Sequence, residues 1–197
     1  MGSKPQINFE KIDRVNKRMP PGWIPNQHGA WAMLISPFLV GVLASEPRWV
    51  HLPLALFWLL GYFAFFATSL WLKANRRPRW FPPVRAYSIA AACAGACVLV
   101  LDSSLILWAP VFVGPLVVGL WAASQRRERD LLIGITTLVG AAAMTLMTYD
   151  IGHGSVTVQA WKLALIQLLY FGGTVFYVKS AIRKRDNSGF LRKSIAF

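Results

Sequence analysis

The stretch HLPLALFWLLGYFAFFATSLWLKANRR, residues 51–77, decides the fold. From residue 49 to residue 72 there is no Asp, Glu, Lys or Arg, and the chain then turns abruptly basic at Lys73, Arg76 and Arg77. A helix needs about 20 apolar residues to cross roughly 30 Å of hydrocarbon. This block is long enough, and its basic end reads as an anchor on the cytoplasmic side. Five further apolar blocks repeat the pattern at residues 29–46, 86–101, 105–123, 131–149 and 158–178. In lipid every backbone N–H and C=O must be satisfied within its own segment, so such blocks form helices. A soluble α/β protein would have to bury all of these uninterrupted runs, which a single soluble fold rarely repeats. The expectation is an all-α, polytopic membrane helical bundle, with six transmembrane helices in three hairpins.

Charge sets the orientation. The net charge of +13 would suggest nucleic acid in a soluble chain, but its placement points elsewhere. Of the 21 Lys and Arg, all but Arg48 and Lys162 fall before the first block or after the second, fourth and sixth. The positive-inside rule then puts both termini in the cytoplasm of a bacterial plasma membrane. The outer turns "ASEPRW", "LDSS" and "YDIGHGS" are short, so the sizeable polar sequence is cytoplasmic. The chain divides into a basic cytoplasmic tail over 1–22, the bundle over 23–180, and a basic cytoplasmic segment over 181–197. In the tail, Phe9, Ile12, Val15 and Met19 fall on one helical side and Lys11, Arg14, Lys17 and Arg18 on the other. That pattern describes a short helix lying on the membrane surface and stopped by Pro20-Pro21, the alternative being a disordered basic tail. Every Trp except Trp58 sits near a block end, where an indole prefers the headgroup layer.

The second, fourth and sixth blocks end alike, in "LWLKANRR", "LWAASQRR" and "FYVKSAIRK". Aligning Lys73 with Lys179 also matches Thr68 with Thr174 and Phe65 with Phe171, which suggests a repeat four helices apart or a chance likeness of apolar helices. Under the repeat, Lys73, Arg76, Arg77, Lys179 and Arg183 meet at one cytoplasmic mouth. Asn26, Gln27 and His28 stand at the same face, just ahead of a helix N-terminus whose free N–H groups favour an anion. Gly29 lets a ligand approach the backbone. These nine residues form the candidate binding rim for an anionic headgroup. The plainer alternative is that Asn26 caps the helix and His28 is solvated.

Other chemistry is sparse. Cys93 and Cys97, one turn apart in "AACAGAC", read as small residues that let helices approach. Asp150 and His153 read as parts of a glycine-containing turn, and His51 reads as an interface residue. No triad spacing or phosphate loop is present. The eight acidic residues are unpaired, so neither a metal site nor a cofactor is expected.

The stretches "HGAWAM", "GYFAFFATSLWLKANRR" and "GTVFYVKSAIRKR" resemble the YwiC-like family of bacterial membrane proteins, especially its actinobacterial branch. The resemblance covers nearly the whole chain and implies further helices beyond the sixth. In layout the chain is also similar to UbiA-type prenyltransferases, which have a cytoplasmic N-terminus, nine helices, and functional loops after the second and sixth. In those enzymes the loops carry Asp-rich motifs for Mg²⁺ and a prenyl diphosphate. Here no carboxylate lies between Lys73 and Tyr87, and the loop after the sixth block has only Asp186. The preferred expectation is a non-catalytic accessory subunit of a larger, respiratory-type membrane complex, with anionic lipid or quinone at its rim. A UbiA-like enzyme without the Mg²⁺ motif and an anionic-lipid transporter are the alternatives.

Overall fold

The computed structural model describes residues 22–25, 28–125 and 131–183. Among them are six α-helices and no strand: α1 (His28–Leu43), α2 (His51–Lys73), α3 (Phe81–Leu101), α4 (Ala109–Ser124), α5 (Leu131–His153) and α6 (Val158–Arg183). Short 3₁₀ turns at Pro78–Trp80 and Ser103–Trp108 lead into α3 and α4. Each helix coincides with one of the apolar blocks. The surface helix expected within residues 1–22 and the segment after residue 183 lie outside the described residues.

Four helices are long and apolar enough to cross a membrane: α2, α3 with its leading turn, α4 with its leading turn, and α5 from Gly134. This is the helical architecture of a membrane protein. α1 is shorter, because the chain leaves the helix at Leu43 and turns through Ala44 and Ser45. α6 is 26 residues long but carries Gln159, Lys162 and Gln167 in its first half.

Prolines mark several of the starts. Pro82 and Pro83 open α3 and Pro110 opens α4, at positions whose missing N–H would have no intrahelical partner. Pro37 lies inside α1, where it removes one backbone bond and loosens the turn before it. Two neighbours bond the carbonyls of this region. Trp58 Nε1 donates to the Leu34 carbonyl at 2.9 Å, and Thr145 Oγ1 donates to the Pro37 carbonyl at 3.1 Å. The first bond explains why one tryptophan sits in the middle of a helix.

Hairpin connection does not dictate packing. α2 packs chiefly against α3, and α5 packs against α1, α4 and α6. α3 and α4 follow one another in sequence yet are not a closely packed pair. The bundle therefore has two hubs rather than three self-contained hairpins. α1 runs antiparallel to α2, with Trp31 against Phe63 and Phe38 against His51. α1 runs parallel to α5, with Pro37 beside Thr145 and Ser45 beside Gly152.

α5 is the buried centre, its residues 141–149 all inside the protein. Lipid tails are as apolar as Leu, so close backbone approach and interhelical bonds hold such helices together. The sequence AAAMTLMTY supplies the small side chains this requires. A Cβ on Gly41 would collide with Thr148 Oγ1, and one on Gly152 with Ser45 Oγ. Ser36 and Gln167 bond reciprocally across α1 and α6, at 3.3 and 3.1 Å.

α3 corrects one expectation. Its inward side is made of Ala91, Ala94 and Val98, with Gly95 against the Phe57 ring, whereas Cys93 and Cys97 are free thiols on the exposed side. Close approach here is the work of alanine and glycine, and the cysteines face outward.

Candidate functional site

The end of the bundle where α1 begins, α2 ends and α3 begins is the basic end. α2 closes there on two successive residues with left-handed backbone, Asn75 (φ 53°) and Arg76 (φ 58°). Their N–H groups return to the carbonyls of Leu72 and Trp71, at 3.1 and 2.9 Å, so the helix terminus is capped by its own chain. Pro78 then holds Arg77 extended. The result is a sharp turn that leaves Asn75, Arg76, Arg77 and Arg79 exposed, with Lys73 half-buried at the helix end.

The chain just before α1 folds over this turn. A Cβ on Gly22 would touch Pro83, Trp80 and Leu70 at 3.5–3.9 Å, and Gly22 itself has φ 113°. Tyr87 Oη donates to the Trp23 carbonyl at 2.7 Å, and the two rings pack edge to face. Rings of Trp31, Tyr62, Phe63 and Tyr87 continue the contact inward. These contacts bring the start of α1 and the end of α2 to one end of the bundle.

Of the nine rim residues, Lys73, Arg76, Arg77, Gly29 and the backbone of His28 lie at this basic end. Gly29 is exposed, and a Cβ there would meet nothing within 4 Å. Asn26, Gln27 and the His28 side chain lie outside the described residues. So do the side chains of Lys179 and Arg183, although both residues belong to α6. The proposed repeat has one local echo: Thr68 and Thr174 each donate to the carbonyl four residues back, at 2.7 and 3.0 Å. A threonine facing its own helix does this in many settings.

Helix α2 also holds polar atoms that the sequence did not single out. Tyr62 Oη, Ser69 Oγ and Trp71 Nε1 are buried without a hydrogen-bond partner, and all three belong to α2. Trp71 lies on the α3 side, against Phe81. Tyr62 and Ser69 share a face with Trp58 and Lys73, the four falling within roughly a quarter-turn at 3.6 residues per turn. That face touches α1 through Trp58 and Tyr62. The signal was present in the sequence as the spacing 62, 69, 73, but apolar neighbours on every side hid it.

At the opposite end, His51 is 4% exposed rather than at an interface with solvent. Its Nδ1 accepts the Arg48 N–H at 2.9 Å and its Nε2 donates to the Thr148 carbonyl at 3.0 Å, the arrangement of a neutral imidazole. It ties the turn before α2 and the start of that helix to α5. Asp150 accepts from Trp108 Nε1 at 3.2 Å, and the His153 ring packs on Tyr149. Asp150 therefore joins α5 to the turn before α4, and Gly154 at φ 83° makes the bend. No group of three His, Cys, Asp or Glu side chains gathers among the described residues.

A bundle of apolar helices with cations collected at one end defines a class, a polytopic helical membrane protein with a basic rim. Comparison with known proteins narrows it: the family model described as "YwiC-like protein" matches residues 24–149, and the chain belongs to that family. It is 33% identical to "Uncharacterized protein YwiC" of Bacillus subtilis (strain 168) over 168 residues, covering 85% of this chain and 70% of the relative. It is also 26% identical to an "Uncharacterized protein" of Haemophilus influenzae over 178 residues, covering 88% of this chain and 73% of that one. No solved structure matches it.

Proposed function

We propose that this protein is a non-catalytic accessory subunit of a larger assembly in the bacterial plasma membrane, and that it holds the headgroup of an anionic lipid at its basic end. In this reading all six helices cross the bilayer and the basic end faces the cytoplasm. One observation carries the reading: the left-handed turn after α2 gathers Arg76, Arg77 and Arg79 as exposed cations just past Lys73, at the same end of the bundle where α1 begins. Cations and a helix N-terminus at one end of a bundle attract an anion, and long basic side chains grip phosphate as point charges or bidentate forks. An uncharged quinone headgroup would gain much less from this set. Outward-facing apolar side chains on α3, α4 and α6, such as Ile89, Val117 and Ile166, suit either lipid or neighbouring subunits.

Mild-detergent purification of the tagged protein, with mass spectrometry of co-purifying proteins and lipids, tests the reading. The expected result is stoichiometric recovery of other membrane subunits, together with an anionic lipid that is depleted when Lys73, Arg76 and Arg77 are replaced by Ala. Recovery of the protein alone, with one polyprenyl lipid enriched, would overturn it in favour of an enzyme acting on that lipid.

A further inference from the structure

We infer that the outward seam of α6 docks on a transmembrane helix of another subunit, one that carries a polar group near the bilayer midplane and an acidic residue toward the outer surface. This rests on the accessory-subunit reading with six membrane-crossing helices, and adds the surface used and the chemistry that meets it.

α6 packs on the bundle through Ala160, Ala164, Gln167 and Phe171, all buried, while its other side stays open. There Lys162, Ile166, Tyr170, Gly173 and Tyr177 recur at intervals of four, four, three and four residues, which keeps them within about a quarter-turn of one another. Gly173 is half-buried and the others are exposed. This is the spacing of a helix–helix contact, and a glycine along it lets a neighbouring backbone come close.

The seam is chemically unlike the other outward faces. The large exposed side chains of α4 include Val111, Val113, Leu116 and Val117, which suit acyl chains. α6 instead turns Lys162 and Tyr170 outward. Lys162 lies one turn from the helix start, so its ammonium can reach the outer headgroups. Tyr170 has no such exit. It is 69% exposed and twelve residues into the helix, about 18 Å along the axis and close to the middle of a hydrocarbon layer of roughly 30 Å. Its ring packs on Phe171, but no described residue bonds its hydroxyl. Acyl chains offer that hydroxyl nothing, whereas a polar group on a neighbouring helix completes it.

Charge selects the occupant. From Val158 to Arg183 there is no Asp or Glu, so α6 does not balance its own outward cation. A second copy seated on the same seam would bring Lys162 toward Lys162. A partner with a carboxylate at that depth turns the same cation into an attraction.

The test is photocrosslinking of the full chain in intact membranes, with p-benzoylphenylalanine in place of Ile166 on the seam or, as a control, of Val117 on α4. The Ile166 position should give one adduct with another protein and the Val117 position none. The crosslinked peptide should be an apolar transmembrane segment with Asp or Glu near its outer end. Lys162→Glu should cut the adduct about tenfold or more while Lys162→Arg retains it. Tyr170→Phe should cut it roughly threefold, as loss of one bond between membrane helices does. Both side chains are exposed, so purified Lys162→Glu and Tyr170→Phe should melt with the wild type; a lower melting temperature would place the side chain in the fold and overturn its docking role. An adduct between two copies of this chain, a crosslinked segment without an acid, or a full adduct with either variant would overturn the docking surface. So would the absence of an adduct at Ile166 when other subunits still co-purify, which leaves the accessory reading in place. No adduct and no co-purifying subunit would overturn both.

Discussion

Arg76 and His51 show how little a residue's type says about its task in this protein. Arg76 holds a left-handed backbone at φ 58°, a region that costs a non-glycine residue about 1–2 kcal/mol. The β-branched Arg76→Val is expected to lower the melting temperature, whereas Arg76→Gly should leave it unchanged or raise it. Differential scanning fluorimetry in detergent reads both, and equal loss in the two variants would deny the strain. His51 bonds one backbone N–H and one carbonyl from inside the protein. Replacing it with Phe leaves both without their partner and should cost about 1–3 kcal/mol. Neither role was visible beforehand. A histidine two residues before a proline at the start of an apolar block looks interfacial until the helix that covers it is known.

At the scale of the element, α5 was legible as a helix but not as the hub. Its block resembles the others in apolar content, and only its run of Ala and Thr distinguishes it. The α1–α5 contact depends on the missing side chain at Gly41, where a Cβ would strike Thr148. Gly41→Ala should therefore destabilise by about 1–3 kcal/mol, the usual range for overpacking. Gly29→Ala, on the same helix with open space around it, should be neutral. Thermal unfolding of the pair decides the matter, and equal melting temperatures would remove the argument for a close approach. The proline in α1 belongs here too: Trp58 and Thr145 bond carbonyls near the turn it loosens, so a local break in α1 becomes a contact to α2 and α5.

For the whole molecule the issue is which surfaces meet lipid. Cys93 and Cys97 are exposed sideways on α3, within a helix long and apolar enough to span. In intact membranes they are expected to react with a lipid-soluble maleimide and to resist a charged, water-soluble one; rapid labelling by the charged reagent would place this face in water instead. In a cysteine-free background, a cysteine at Ser104 and one at Arg79 should be labelled from opposite sides of the membrane, Arg79 from the cytoplasm. Labelling of both from one side would overturn the orientation on which the rim proposal depends.

The sequence by itself determined that its apolar blocks form helices and that cations collect at alternate block ends. Both follow from local rules: the hydrocarbon forces backbone bonds inside each segment, and the charge of Lys and Arg resists burial. Helix pairing was beyond it. In a bilayer every helix face is apolar, so the selective terms are small residues, interhelical bonds and unmet hydroxyls, each of which needs a neighbour before it has meaning. Only the tertiary structure set α5 at the centre, turned His51 inward, sent Cys93 and Cys97 outward, and left the hydroxyls of Ser69 and Tyr62 buried without hydrogen-bond partners.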